Sequence, residues 1–351
     1  MPPALGDESP GLLRQSRPGC QGVRGLSASS DSRQASLVDR AVKILQQGGL
    51  VAIPTETVYG LAADASNELA VRRIFAAKGR PSTHPLIVHV PSAGAAHDWA
   101  EVVPQRAATL MQAFWPGPLT LVLQRSKRAL DVVTAGQDTV ALRVPNHPLT
   151  LQLLRELGGG LAAPSANRHG QVSPTTADHV RADLGDAVDL VLDGGPCALG
   201  IESTIVDARS DRLEILRPGG VSKEALEAAV GDYVPVRDQS QVRVPGALAS
   251  HYAPRAGVVV VEPSQLRARA EEAARSAAGR VAVVSPSEGD APPGTLHLPI
   301  AADPAGFARE LYAVLRAADE QGAALIVIAP PEPGGLGLAI RDRLKKASAP
   351  R

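Results

Sequence analysis

Apolar residues along this chain recur with two different periods, and the switches between them mark its elements. Leu37, Val38, Ala41, Ile44 and Leu45 share one helical face within residues 36–47, and Gly48-Gly49 stops the run. The continuous apolar stretch Leu50-Val51-Ala52-Ile53-Pro54 reads as a buried strand and leads straight into Thr55-Glu56-Thr57-Val58-Tyr59-Gly60. Helical spacing returns with Leu69, Ala70, Ile74, Phe75 and Ala77, and Asn67 is placed to cap that helix. Gly79 supplies the left-handed residue that ends helices, Pro81 prevents resumption, and residues 85–90 read as the next strand. Lys78, Arg80, His84 and His89 are therefore expected around one helix-to-strand corner, a placement suited to a polyanion.

The alternation continues. Helices are expected over residues 104–114, 149–157, 174–184 and 222–230, the third with Ser173 as N-cap and Pro174 at its first position. Strands are expected over 119–123, 139–144, 161–163, 190–192, 203–207 and 213–216. Between Tyr233 and Gly257 periodicity collapses, and Pro235, Pro245, Gly246 and Pro254 mark a linker. Strand and helix patterns then resume at 258–261, 265–277, 281–284, 307–318 and 324–328. The chain reads as α/β, with a disordered tail at 1–34, a catalytic domain at 35–234, a linker at 235–256 and a smaller α/β domain at 257–347.

Charge narrows the function classes. Lys plus Arg and Asp plus Glu number 36 each, so any anion binding has to come from local placement. Aromatic residues make up 3% of the chain, which argues against a stacking platform for single-stranded nucleic acid. Cys20 and Cys197 match no metal or redox spacing, and a reducing cytoplasm is expected. No apolar run is long enough to span a membrane. No phosphate-binding P-loop pattern occurs, and Gly335-Leu336-Gly337 lacks the third glycine of a dinucleotide fingerprint, leaving a tight turn into a helix. The histidines form no metal set, and His97, His179 and His297 are expected at the surface.

What remains is a group of hydroxyls and cations at strand ends: Thr55 and Thr57, Lys78 and Arg80, Thr139 and Arg143, Ser165 and Asn167, Ser203 and Thr204, and Arg217. Ligands of open α/β sheets bind outside strand ends, and guanidinium groups hold phosphate or carboxylate bidentately. A site that binds and orients anions follows. Two other classes, a module for A-form RNA and a dinucleotide-dependent enzyme using the Gly335 region, fit these residues less well.

The motifs resemble the threonylcarbamoyl-AMP synthase family in its longer, two-domain Sua5 form. P-T-E-T-V-Y-G-L at 54–61, K-G-R-P at 78–81, W-P-G-P-L-T at 115–120 and R-V-P-N-H-P at 143–148 carry the resemblance. So do A-P-S-A-N at 163–167, S-P-T at 173–175, D-G-G at 193–195, G-I-E-S-T-I-V-D at 200–207, L-R-P-G at 216–219 and, in the linker, H-Y-A-P at 251–254. The resemblance implies a YrdC-like twisted mixed sheet with helices around a concave site, followed by a Rossmann-like Sua5 domain. It implies a nucleotidyltransferase that makes threonylcarbamoyl-AMP and pyrophosphate from L-threonine, bicarbonate or CO2, and ATP. A separate threonylcarbamoyl-transferase complex would then modify adenosine at position 37 of tRNAs reading codons that begin with A, with little or no direct tRNA binding here.

By the same resemblance Lys78, Arg80, Ser165 and Asn167 are the heart of the site. ATP would meet Arg80, His84, Thr139, Ser165, Ser173, Arg217 and Tyr252, with Mg2+ on its phosphates. Threonine would meet Thr57, His89, Arg143, the Ala163 backbone and Ser203. His84 stands where the family commonly has Asn.

Overall fold

The computed structural model describes residues 25–237, 242–246 and 250–350. Helix α1 (Gly25–Gln46) starts well ahead of the expected position, within the stretch read from sequence as tail; residues 1–24 lie outside the described residues. Then come β1 (Val51–Ile53), β2 (Gly60–Asp64), α2 (Glu68–Lys78), β3 (Ile87–His89), α3 (Gln105–Phe114) and β4 (Leu119–Gln124). A short α4 (Asp131–Thr134) precedes β5 (Thr139–Arg143), α5 (Pro148–Leu157), β6 (Leu161–Ala162) and α6 (Ala177–Leu184). Strands β7 (Leu190–Val191), β8 (Thr204–Asp207) and β9 (Glu214–Arg217) and helix α7 (Lys223–Val230) complete the first module.

Among the described residues these strands form a nine-stranded mixed sheet in the order β7-β1-β2-β6-β3-β5-β4-β8-β9. The helix-to-strand corner folds as its residues dictate. The Asn67 side chain accepts the Ala70 N–H at 3.1 Å, and Gly79 closes α2 in the left-handed region at φ 61°. The start of α6 differs from expectation: its N-cap is Thr176, whose hydroxyl accepts the His179 N–H at 3.3 Å. Ser173 is released from capping, and its hydroxyl is used elsewhere. Strand β2 escaped the sequence reading because Gly-Leu-Ala-Ala-Asp has no β-branched residue; it is a strand through its pairing with β1 and β6.

Side-chain alternation divides the sheet into two faces. Val88, Leu121, Leu142 and Val206 point to one face and pack against Ile74, Leu110 and Leu226 of the covering helices. On the other face α1 and α5 cover one end, with Val38, Leu45, Leu153 and Leu154. The rest of that face presents Ile87, Val122, Ala141 and Ile205, and what packs on it is the linker, through Val242 and Val244. By the same two-residue period, His89, Thr139 and Arg143 belong to this linker-covered face.

The second module comprises β10 (Gly257–Val260), α8 (Leu266–Ser276), β11 (Arg280–Ser285), β12 (Leu296–Pro299), α9 (Pro304–Glu320), β13 (Ala323–Ile328) and α10 (Leu336–Ala347). Its four strands are all parallel, in the order β10-β13-β11-β12, with β12, an edge strand ending in proline, unforeseen in the sequence. Gly335 sits at the N-cap of α10, as a turn into a helix requires. The apolar core of this module runs on into Val58, Val172 and Ile201 of the first and into Tyr252 of the linker. No helix among the described residues is long and apolar enough to cross a membrane.

Candidate active site

A cavity of about 50 Å3 lies where the linker crosses the sheet face. Three guanidinium groups converge on it, those of Arg80, Arg143 and Arg217. Thr57, His89, Ala163, Ser165, Ser203 and Tyr252 share its walls. The sequence had singled out all nine of these residues.

Each arginine is held by its own element. Arg143, the last residue of β5, donates to Thr57 Oγ1 at 2.9 Å and to Gly117 O at 3.2 Å, and its Nη2 lies 2.7 Å from Glu56 Oε1. Arg217, the last residue of β9, donates to Ser203 O at 2.7 Å, to Ser203 Oγ at 3.1 Å and to Pro245 O at 3.1 Å. Arg80 donates to Pro85 O at 3.0 Å, while its Nε is buried without a hydrogen-bond partner. Burial, with the like charge of Arg217 nearby, pulls Arg80 down to about 10 against the opposing influence of Tyr252. Burial likewise lowers Arg217 from its ordinary value. Both cations are thus held in an environment that disfavours their charge, and an anion would relieve it.

Hydroxyls and imidazoles fill the remaining walls. Thr57 Oγ1 lies 2.7 Å from Thr55 Oγ1, and Ser203 Oγ lies 2.7 Å from Thr120 Oγ1. His89 is pushed down to about 3 by burial and by Arg143, so its ring is neutral. A row of imidazoles flanks Arg80: ring centroids are 5.4 Å apart for His84 and His169, and 5.9 Å for His169 and His251. Tyr252 adopts a left-handed backbone at φ 59°, with its hydroxyl buried and unpartnered.

Five of the expected site residues do not line the cavity. Lys78, read from sequence as a cation facing the concavity, turns its Nζ instead onto Ser165 O and Asn167 O, each at 2.5 Å. Asn167 spans its own loop, donating to Arg168 O and Gln171 O at 2.8 Å each. Both side chains therefore fix the turn that carries Ser165. Ser173 donates to Glu202 Oε1 at 2.7 Å behind the cavity wall. Thr139 shares a sheet face with Arg143 but stands four residues along the strand, about 13 Å away. His84 is not part of the lining and stands beside His169 in the row of imidazoles that flanks Arg80. The linker is pinned to the residue next to His84, with Arg243 donating to Thr83 O and Ala135 O at 2.9 Å each.

Other residues of the site went unforeseen. Glu56 is the carboxylate partner of Arg143, and Glu202 is the one acid lining the cavity among the described residues. Glu202 sits inside the G-I-E-S-T motif, so a signal existed; Arg343 and Tyr312, which bond to it from the second module, had none. His179, expected at the surface, is partly buried, with its Nδ1 accepting the Thr175 N–H at 3.2 Å. His297 is also partly buried, 3.1 Å from Ser285 O, whereas His97 is exposed as expected.

Comparison with known proteins agrees with this geometry. The Sua5_yciO_yrdC family model, described as telomere recombination, matches residues 43–219, and the model for the threonylcarbamoyl-AMP synthase C-terminal domain matches 221–349. The threonylcarbamoyl-AMP synthase of Bacillus subtilis is 40% identical over 324 residues, covering 90% of this chain and 93% of the relative. That of Pyrococcus abyssi is 40% identical over 321 residues, covering 89% and 94% respectively. A crystal structure of P. abyssi Sua5 complexed with L-threonine superposes with a TM-score of 0.84 at 38% identity, covering 89% of this chain and 94% of that one. With the two family models end to end over residues 43–349, the chain belongs to the threonylcarbamoyl-AMP synthase family of nucleotidyltransferases.

Proposed function

We propose that the chain condenses L-threonine, bicarbonate or CO2, and ATP into threonylcarbamoyl-AMP and pyrophosphate, the activated intermediate for modifying adenosine 37 of tRNAs that read ANN codons. The observation that carries this reading is the convergence of Arg80, Arg143 and Arg217 on one desolvated cavity beside Thr57, His89 and Ser203. Binding of L-threonine by the Pyrococcus abyssi relative supports it.

The reaction brings two anions together. Threonine's amine and CO2 give a carbamate, whose oxygen attacks the α-phosphorus of ATP as the bond to pyrophosphate breaks. No dedicated base is required once the carbamate exists. The protein's work is alignment and neutralisation of charge, which fixed guanidinium groups in a dry site supply. Arg143, held in place by Glu56 and Thr57, would take the threonine carboxylate. Thr57, His89, Ser203 and the Ala163 backbone would surround the rest of the amino acid.

Arg80, Arg217, Ser165 and Tyr252 would meet the nucleotide, whose far end would reach His84 and Thr139, with Ser173 behind the wall. Pro245, Gly246, His251 and Tyr252 of the linker form one wall of the cavity, so the linker is the element that would lift for ATP to enter. Mg2+ belongs to the substrate here. Glu202 and Glu56 are already engaged, and no cluster of metal ligands occurs among the described residues, so the ion would arrive on the phosphates of MgATP.

The test is mass spectrometry of a mixture of protein, MgATP, threonine and bicarbonate. Threonylcarbamoyl-AMP should appear only when all four are present, with one pyrophosphate per adenylate. ATP consumption without that product would overturn the reading. Because the site is expected to bond the β-hydroxyl, 2-aminobutyrate should compete poorly and serine should react weakly; equal competition by 2-aminobutyrate would remove the assigned threonine contacts.

A further inference from the structure

Glu202 is an odd residue for a cavity built to hold polyanions. It lines that cavity as its one acidic side chain among the described residues, and it is buried. Its oxygens are fully engaged. Oε1 accepts from Ser173 Oγ at 2.7 Å, and Oε2 accepts from Tyr312 Oη at 2.8 Å and from Arg343 Nε at 2.7 Å. Ser173 belongs to the first module; Tyr312 and Arg343 come from α9 and α10 of the second. Burial opposes ionisation of Glu202, yet Arg343 and Arg217, with the hydrogen bonds from Arg343 and Ser173, hold its carboxyl down at about 2. The charge is therefore present, and facing it from the other module is Arg343, whose Nη1 also pairs with Asp342 at 2.5 Å.

Arg343 is itself shielded from both solvent and substrate. It is 1% exposed, lies behind Glu202 and does not line the cavity. Its guanidinium carbon sits 5.0 Å above the Tyr252 ring, which in turn stacks on Tyr312 with centroids 5.9 Å apart. One cation thus touches both the acid of the cavity and the aromatic residue by which the linker is seated.

Resting on the reaction proposed above, we propose that Arg343 is a positioning residue supplied by the C-terminal module, neutralising Glu202 so that the ATP phosphates meet net positive charge and coupling that neutralisation to the seat of Tyr252. Coulomb repulsion between a desolvated carboxylate and a polyphosphate is steep, because little solvent screens it. Free threonine enters as a zwitterion with no net charge and feels the same carboxylate much less, and once it is a carbamate its carboxylate is met by Arg143. The second module would therefore set the affinity for ATP selectively, without contributing an atom that touches it.

The experiment uses the full-length chain with Arg343→Met, Glu202→Gln and the double variant, and measures KM for ATP and for threonine in the adenylate-forming assay. Arg343→Met is expected to raise the ATP KM about tenfold or more, with the threonine KM within about threefold of the parent. Adding Glu202→Gln to Arg343→Met should bring the ATP KM back to within about threefold of the parent, since the repelling charge is gone. Should Arg343→Met fail to fold, the double variant is compared with Glu202→Gln alone. Equal ATP KM values mean that Arg343 acts through Glu202, and a clear further rise overturns the proposal. Parallel losses for ATP and threonine, or no recovery on removing Glu202, reduce Arg343 to a packing residue. A parent chain that makes no threonylcarbamoyl-AMP overturns the underlying reaction instead.

Discussion

Burial decides what each cation of the Lys78-Gly79-Arg80 corner can do. Lys78 is buried with both of its contacts on backbone carbonyls, and burial together with Arg80 lowers it well below its ordinary value. Removing it strips Ser165 O and Asn167 O of a donor, at about 1–3 kcal/mol for each buried group left unpaired. Lys78→Met should therefore lower the melting temperature and the activity together. Arg80→Ala should instead lose about 2 kcal/mol or more in kcat/KM for ATP, and Arg80→Lys should rescue poorly because a point charge cannot replace a fork. Thermal melts and steady-state kinetics separate the two; identical profiles would show that the corner acts as one unit. His84 adds a proton to this account. Burial and the charges of Arg80 and Arg243 lower it from its usual value, so it is neutral in the free protein at pH 7. A triphosphate nearby would favour the charged ring, so ATP binding should take up protons and tighten as pH falls. His84→Asn should flatten that dependence. An unchanged slope in the variant would move the titration to another group.

The linker is the element on which expectation and structure are most instructive together. Its prolines and the loss of periodicity mark where the first module ends, and H-Y-A-P marks a functional cluster. No pattern shows that Val242 and Val244 complete the apolar face of the sheet. Local rules were legible because they act within a few residues, as at Asn67, Gly79 and the N-cap of α10. Arg143 and Arg217 were legible because they end strands, and Arg80 because it follows the helix stop at Gly79. The contacts of Lys78 are not legible because its carbonyl partners lie far along the chain, and those of Glu202 are not because Arg343, its charge partner, lies in the other module. Nothing local separates Ser173 from Thr176 as a helix cap, and it is Thr176 that bonds the helix. The seat of Tyr252 can be tested through Gly246. That glycine has φ +76°, and a Cβ there would collide with the Tyr252 hydroxyl. Gly246→Ala should cut kcat/KM for ATP about tenfold or more, through backbone strain and that collision. Adding Tyr252→Phe removes the colliding atom and should recover part of the loss if the hydroxyl itself contributes little. Additive losses in the double variant would show instead that the hydroxyl bonds substrate.

At the scale of the whole molecule, the histidines couple stability to pH. His89 lies in the sheet and His251 in the linker, and both are held at about 3. Burial is the main cause for each; Arg143 adds to it for His89, while for His251 Lys78 and Arg80 add to it against the opposing influence of Glu202. An unfolded histidine titrates near 6.5, so below that pH the unfolded chain binds protons that the native one refuses. The stabilisation from a neutral buried ring is therefore complete above about 6.5 and declines as pH falls toward 3, by up to about 1.4 kcal/mol per pH unit for each ring. Glu202, held at about 2, keeps its contribution until pH falls below about 4.5, where carboxylates of the unfolded chain take up protons. Between about pH 6.5 and 4.5 these two histidines thus lose stability while Glu202 does not. The melting temperature should fall from pH 7 to pH 5. His251→Gln should make that fall shallower by about one proton's worth, because its backbone N–H still reaches Lys346 O at 3.2 Å while its ring no longer titrates. A melting temperature that is flat over this range, or a slope unchanged in His251→Gln, would show that the ring of His251 gains its proton without disturbing the contact between linker and α10.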